Sequence, residues 1–573
     1  MQQNKDVDVH FWAKAYPEKI DWNIHGYAAL STGPIFQYLE STRKKFPHRL
    51  AFRFMGKSWT WEEIGSLVDR MAKGLHDHGV ERGVKVGLCL PNCPYFLIAY
   101  YAIAKTGATI VNYNPLYAEE EIANQIEDSQ TDYMVTVDLA LIYGKLEKML
   151  HRTRLNQIIV CPFSSCLPFP KNILFSLFKK ADVAKIPNDD RHIYFKQLVS
   201  NDGQFLPPPI NTDSDVALLQ YTGGTTGTPK GAMLTHANLT ANVEQCLRWF
   251  YDVHQGQERM LAVIPFFHVF AMTTVLNLSV KCGFEIIASP RFNLEETLEL
   301  IHREKPHFFP AVPAIYNAIN AHPHLKSYDL TSLRYCISGG APLPVEVKKA
   351  FEAETGCVLV EGYGLTETSP VACANPIEGM NKSGSIGLPL PGTIIELHDT
   401  DTGETVTETG KRGELWIKGP QVMKGYWNKP DETEKVLENG FLKTGDVATY
   451  DDDGYIFIVD RIKDLILVNG YNVYPRMIEE AIYQHPSVEE CVVAGITDAT
   501  RGEVPKAWIK LREGRKLSEE DLRLFLEEKI SRIEMPRHIE FRSEPLPKTM
   551  IGKLSKKDLL AQEIEKTQAV SDL

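Results

Sequence analysis

No stretch of this 573-residue chain is apolar for long enough to cross a bilayer. The most apolar run, Tyr95 to Ala104, stops at Lys105, whereas a spanning helix needs about 20 such residues. The first residues, MQQNKDVDVHFWAKAYPEK, contain no apolar core of signal-peptide length, so a cytoplasmic protein is expected. Positive charge is also scarce: 62 Lys and Arg stand against 74 Asp and Glu, a net charge of −12. That balance argues against a broad nucleic-acid-binding surface, and no nucleic acid is expected as a partner. The ten cysteines include two close pairs, Cys89 with Cys93 and Cys161 with Cys166, but neither has a second pair at zinc-site spacing. Reduced, buried thiols are expected. No repeat of a solenoid period is visible.

What is present is ordinary globular composition, 43% hydrophobic and 24% charged, in a chain too long for one core. Buried-strand patterns alternate with helical ones: GVKVGLCL (83–90), then PYFLIAYYAIAKTG (94–107), then TIVNYN (109–114). RMLAVIP, FEIIAS and SLRYCISGG continue the series, separated by stretches such as NLEETLELIHRE (293–304). Such alternation predicts layered α/β architecture with mainly parallel sheets. From about Thr393 the texture changes to short β runs, GTIIELHD, GELWIKG, DGYIFIVD and KDLILVNG, split by Gly, Asp and Asn. The expected organisation is a large α/β N-terminal domain over 1–460, containing a β-rich module at about 393–460. A hinge at 461–464 then leads to a small, mobile α+β C-terminal domain over 465–573. In that last part helices are expected at 476–484 and 519–531, and strands at 491–494 and 507–511.

Two segments carry unusual chemistry. In YTGGTTGTPKG (221–231), Gly223, Gly224 and Gly227 free the backbone for close approach to an anion. Thr222, Thr225 and Thr226 offer hydroxyls, and Lys230 adds a compact positive charge after Pro229. Gly and Thr clusters also make plain surface turns, but this one is built to hold a polyphosphate. It cannot be aligned as G-x-x-x-x-G-K-[ST], which excludes a P-loop of that kind. In EGYGLTET (361–368), Gly362 and Gly364 permit a tight turn, Tyr363 offers a flat face for a base, and Thr366 is a hydroxyl donor. Glu367 is a hard oxygen ligand of the kind Mg²⁺ takes together with substrate phosphates, although one acid after a Gly turn is more often a helix-start charge.

Together these segments resemble signatures of the adenylate-forming superfamily, which includes acyl-CoA synthetases, beetle luciferases and peptide-synthetase adenylation domains. SGGAP (338–342), with Gly339, Gly340 and Ala341, looks like that family's adenine wall. LKTGD (442–446) matches its ribose motif, which implies Asp446 as the acceptor for ribose hydroxyls. VDRIKDLILVNGYNVYP (459–475) matches the hinge motif, with Arg461 as a second ribose or phosphate contact and Lys463 as the pivot. LPKTMIGKLSKKDL (546–559) matches the catalytic-lysine motif and puts that role on Lys553. The likeness runs from about Trp12 to Leu559, and FWAKAYPEKID and VNYNPLYAEEEI are similar to bacterial long-chain fatty acyl-CoA synthetases.

The resemblance implies ATP and CoA as substrates, Mg²⁺ held by Glu367 and Thr222, and a fatty acid as the group activated. A carboxylate oxygen would attack the α-phosphate, expelling pyrophosphate, and a thiol would then take the acyl group from the adenylate. Catalysis of this kind is positioning and charge stabilisation. After rotation of the small domain, the strand at Gly470, Tyr471 and Asn472 would flank the thiol. His268 and Phe270 of PFFHVFAM (265–272) and Val312 of PAVPAIY (310–316) are expected to line an apolar acyl pocket. A ligase for medium-chain or aryl acids remains an alternative, as does a non-catalytic lipid adaptor. The adaptor reading is weakened because Lys230, Glu367, Asp446, Arg461 and Lys553 are all present.

One segment stands outside this scheme. In KNILFSLFKKADVAKIP (171–187), Ile173, Leu174, Leu177, Phe178 and Ala181 fall at near-helical spacing beside Lys179, Lys180 and Lys185. An interfacial helix on the inner face of a membrane has this pattern, and so does a surface helix packed on its own core. A peripheral membrane contact and a homodimer stay open.

Overall fold

The computed structural model describes residues 10–22, 30, 33–222, 229–250, 252–468, 471–498, 501–549 and 554–571. Two large sheets organise the N-terminal part. In the eight-stranded sheet, Lys85–Cys89, Thr109–Asn112, Tyr133–Val137, Gln157–Cys161, His192–Tyr194 and Val216–Thr222 run parallel. Lys230–Thr235 and then Gly425–Tyr426 add antiparallel at its edge. The nine-stranded sheet has a parallel centre made of Leu50–Phe54, Glu285–Ala288, Arg259–Ala262, Phe308–Ala311, Tyr335–Ser338 and Val358–Gly364. The expected parallel α/β layering is therefore what the chain adopts.

The helix Pro94–Thr106 shows why the layers hold. Every one of its residues is buried, as befits a helix that is apolar all round. Its Phe96 ring meets Phe266 at 5.6 Å, and its Tyr101 hydroxyl donates to Asn277 Oδ1 at 3.0 Å. The helix thus ties the first sheet to segments of the second. All ten cysteines are buried and free, and burial raises the pKa of thiols such as Cys89 and Cys246 to about 12. They pack as small apolar groups.

The β-rich module forms as expected from Ile394–His398, Gly413–Lys418, Leu437–Glu438, Phe441–Tyr450 and Ile456–Arg461 in one antiparallel sheet. KDLILVNG does not belong to it. Ile466–Val468 pairs with Tyr471–Val473 and, at Val468, with Gly502. Its partners lie downstream, so it joins the last sheet. That sheet centres on the long hairpin of Val488–Asp498 and Gly502–Leu511, longer than the expected strands because cross-strand pairing carries both arms past their apolar cores. The helix Pro475–Tyr483 matches expectation, while the later one stops at Glu527. A separate apolar core, built on Ile466, Val473, Ile482, Val493 and Leu522, lies under these elements.

The segment 171–187 is α-helical only over Lys171–Phe178, followed by a single 3-10 turn at Lys180–Asp182. Beyond it the backbone is captured by tertiary pairing: Val183 bridges Leu139, and the Ala184 N–H donates to Asp138 O at 2.8 Å. No helix among the described residues is long and apolar enough to cross a membrane.

Candidate active site

Four adjacent parallel strands end at one side of the nine-stranded sheet, and their registers align those ends. Ala311 pairs with Ser338, and Ser338 with Glu361. The chain therefore delivers four segments to a common edge: 263–272 after Arg259–Ala262, Val312 after Phe308–Ala311, Gly339–Ala341 after Tyr335–Ser338, and Gly362–Glu367 from Val358–Gly364. The crevice beyond the carboxyl ends of parallel strands is where open α/β sheets bind ligands.

Along this edge the acyl-side and nucleotide-side segments touch. A Cβ on Gly339 would stand 3.1 Å from Phe270 Cζ, so the bare backbone there is what lets the ring pack against it. Gly340 takes φ +81°, with Val312 Cγ1 3.8 Å from its would-be Cβ. His268 begins a short helix, and its Nδ1 accepts the Phe270 N–H at 3.3 Å. Burial pushes the imidazole pKa down to about 4, so the ring is neutral at pH 7 with its proton on Nε2. His268, Phe270, Val312, Gly339 and Gly340 are thus brought together.

A second group forms around Asp446. This carboxylate is only 2% exposed and sits opposite Arg461 in the antiparallel pairing of Phe441–Tyr450 with Ile456–Arg461. Arg461 Nε donates to Asp446 Oδ1 at 2.9 Å, and the Tyr363 hydroxyl donates to Oδ2 at 2.5 Å. Burial and the neighbouring Asp446 charge hold the Tyr363 pKa far above its usual value, so it stays a donor. Burial opposes the Arg461 charge, but the Asp446 carboxylate outweighs it and the guanidinium pKa rises. Tyr363 meets Asp446 through its hydroxyl, a contact not expected from its role as a flat face. Each carboxylate oxygen retains room for a further donor.

The third group surrounds the phosphate-loop ends. Thr222 and Lys230 lie directly opposite in the hairpin that flanks the loop. Gly223, Gly224, Thr225, Thr226 and Gly227 fall outside the described residues. The strands on both sides pack against the turn Thr366–Thr368, which carries Glu367. Glu367 Oε1 accepts the Tyr426 hydroxyl at 2.6 Å, and the Tyr426 ring lies 5.2 Å below Lys230 Nζ. Lys230 is also ion-paired with Glu432, and together with Lys435 it draws the Glu432 pKa down to about 2. Tyr426 and Glu432 belong to no motif of the sequence. They reach the site because Gly425–Tyr426 pairs with Ala232 and Met233, residues nearly two hundred positions earlier. A bound polyphosphate would compete with Glu432 for Lys230.

The remaining expected residues are more scattered. Lys463 lies in the single-turn helix Ile462–Asp464, largely open to solvent; partial desolvation of its amine, then the Arg461 charge, lower its pKa. Tyr471 is 67% exposed at the start of its strand. Gly470 and Lys553 fall outside the described residues, although Lys548 and Leu554 pair across the segment that holds Lys553. Beside the hinge, Asp460 Oδ2 accepts the Arg476 N–H at 2.7 Å, at the start of the helix Pro475–Tyr483. Arg412 stacks on Tyr474 at 4.2 Å. Among the described residues no three His, Cys, Asp or Glu side chains are grouped to hold a metal. A cation at Glu367 would therefore draw its other ligands from phosphate oxygens and hydroxyls, which suits Mg²⁺.

The chain matches the family described as AMP-binding enzyme over residues 39–427 and the AMP-binding enzyme C-terminal domain over 477–553. It is 44% identical over 559 residues to the long-chain-fatty-acid–CoA ligase of Bacillus subtilis (strain 168), covering 97% of this chain and 98% of that protein. A long-chain-fatty-acid–CoA ligase of Yersinia pestis is 34% identical, with 97% and 98% covered. The crystal structure of ATP-bound MatB from Rhodopseudomonas palustris superposes with a TM-score of 0.81 at 26% identity, covering 92% of this chain and 98% of that one. With its two family segments in order and a full-length relative at that identity, the chain belongs to the AMP-binding enzymes of the adenylate-forming superfamily.

Proposed function

We propose that this protein joins a fatty acid, specifically a long-chain one, to coenzyme A through an acyl-adenylate. The observation that carries the reading is the contact of Phe270 with Gly339, which sets an apolar wall directly against the proposed adenine wall. An acid whose chain lies along Phe270 and Val312 would present its carboxylate beside the nucleotide. The names of the relatives from Bacillus subtilis and Yersinia pestis favour a long chain.

In this reading Asp446 accepts the ribose hydroxyls while Arg461 and Tyr363 hold its carboxylate in place. Gly339, Gly340, Ala341, Gly362 and Gly364 allow the backbone to lie close to the base. Lys230, Thr222 and the loop 223–227 grip the outer phosphates, and Thr366 adds a hydroxyl near them. Mg²⁺ held by Glu367 and Thr222 offsets phosphate charge when bound. The fatty-acid carboxylate oxygen forms a bond to the α-phosphorus as the bond to pyrophosphate breaks, with Lys553 bridging the two reactants. The CoA thiol, giving up its proton, then attacks the acyl carbon and AMP leaves. For that second step the C-terminal domain, 465–573, turns about 461–464 with Lys463 as pivot, bringing Gly470 and Tyr471 to the thiol. A few residues at a domain boundary can absorb such a turn.

The acid is tested by CoA-dependent AMP release across straight chains from acetate to oleate, with benzoate for comparison. We expect kcat/KM to rise at least a hundredfold from the shortest acids to the longest, since each buried CH₂ is worth about 0.8 kcal/mol. A maximum at benzoate or at medium chains would overturn the long-chain reading.

Tyr426 enters as a positioning residue for Glu367. Tyr426→Phe keeps the ring beneath Lys230 but removes the donor at 2.6 Å. A hydrogen bond to a charged group contributes about 1.5–3 kcal/mol. Adenylation is expected to fall roughly tenfold, with a several-fold change in the Mg²⁺ concentration for half-maximal ATP–pyrophosphate exchange and a melting temperature lowered by only a few degrees. An unaltered Mg²⁺ dependence would show that the contact is only structural.

A further inference from the structure

None of the residues of the short helix Lys171–Phe178 is buried. Phe175 alone turns inward, meeting Phe163 at 5.5 Å between ring centres. Ile173, Leu174, Leu177 and Phe178 occupy one helical face, spaced i, i+1, i+4 and i+5, and that face points outward. Leu177 is 66% exposed, and Phe169 and Phe178 are each 79% exposed. A helix that merely covers its own core would turn this face in. Here the core-covering alternative from the sequence is reversed.

The tertiary structure enlarges the patch. The β-turn at Met55–Gly56 lies beside Pro168, 3.6 Å from a Cβ built on Gly56, and Met55 is itself exposed. Lys57 Nζ holds this turn in place by donating to Ser165 O at 2.7 Å. Basic residues flank the apolar face in the chain, Lys171 at the start of the helix and Lys179 and Lys180 just after its end. Between Phe163 and Pro187 the chain carries Lys171, Lys179, Lys180 and Lys185 against one acid, Asp182. Asp182 pairs with Lys179 at 3.6 Å and leaves the local balance positive. This local excess stands out on a chain whose net charge is −12.

We infer that this face docks on an anionic phospholipid surface, with the exposed rings and aliphatic chains entering the headgroup–acyl boundary and the lysines meeting lipid phosphates. Contiguous apolar exposure of this kind marks an interaction site. Lysines bordering a shallow apolar face are the chemistry that an anionic bilayer selects. The inference rests on exposure and charge at this patch and holds whichever acid the active site takes.

The test is co-sedimentation of the full-length protein with vesicles of phosphatidylcholine alone or with 30 mol% phosphatidylglycerol, at low and high salt. We expect at least tenfold stronger partitioning onto the anionic vesicles at low salt, weakening as salt rises. K179E/K180E should lower that partitioning at least tenfold, and L177S/F178S should do the same without removing charge. Both variants alter exposed side chains, so melting temperature and CoA-dependent AMP release with a water-soluble short acid should match the parent. Failure of the parent to bind anionic vesicles, or unchanged binding by K179E/K180E, overturns the inference. So does loss of a dimer in sedimentation velocity for L177S/F178S with lipid binding intact, which would assign the face to a second copy of the chain.

Discussion

Asp446→Ala should cut ATP–pyrophosphate exchange by about a thousandfold. The carboxylate is expected to hold two ribose hydroxyls, and hydrogen bonds to a charged group are worth about 1.5–3 kcal/mol each. Two such losses correspond to roughly 10²–10⁴ in rate. The substitution also strands the groups that now clasp Asp446, the Arg461 guanidinium at 2.9 Å and the Tyr363 hydroxyl at 2.5 Å. Removing one member of a buried ion pair costs about 3–5 kcal/mol. The cost here should be nearer the lower end, because the Arg461 side chain keeps 35% of its surface in water. The activity loss should therefore exceed what the fall in stability explains, and it should appear mainly in the KM for ATP. An exchange rate within threefold of the parent would remove Asp446 from the nucleotide site.

Gly364→Ala is also expected to be damaging, for a purely steric reason. A Cβ at this position would lie 1.9 Å from Pro370 O, a backbone atom that cannot swing aside. That carbonyl is fixed by the Leu365 N–H at 3.1 Å and by the Thr368 hydroxyl. Relieving the overlap means opening the turn that presents Thr366 and Glu367. We expect a destabilisation of about 3 kcal/mol or more and loss of adenylation by over a hundredfold. Gly144→Ala supplies the contrast. Gly144 lies within the helix Ala140–Arg152, and an added Cβ meets nothing within 4 Å. There the same change should stabilise by up to about 1 kcal/mol. Thermal melts of both variants with ATP–pyrophosphate exchange decide the matter. A Gly364→Ala protein that melts and exchanges like the parent would show that the turn is not rigid.

These two residues mark different degrees of legibility. Asp446 lies in a contiguous motif whose chemistry is local, so its acceptor role is legible in LKTGD. Its clasp by Tyr363 is not, because that contact joins strands of different sheets 83 positions apart. The need for small residues in EGYGLTET is visible in the sequence, but the atom that enforces it, Pro370 O, is set by the return of the chain on itself. Tyr426 and Glu432 lie beyond any motif named for the site, in an edge strand and a short helix that meet the loop only through strand pairing. The assignment of KDLILVNG to the wrong sheet has the same cause. Its alternation shows a strand, but its partners are chosen by the hairpin that follows it.

Residue order is enough for what is periodic or contiguous in this protein: parallel α/β layers, a β-rich module after Thr393, and ordered loops suited to an adenylate. Such features depend on side-chain alternation and backbone freedom, which act over a few residues. Which side chains share a space depends on long-range folding instead. Register between distant strands set Phe270 against Gly339, clasped Asp446 between Arg461 and Tyr363, and brought Tyr426 to Glu367. It also decided the orientation of the helix Lys171–Phe178. An amphipathic pattern fixes which residues lie on one face, while the direction that face points depends on the single residue, Phe175, that finds a place in the core.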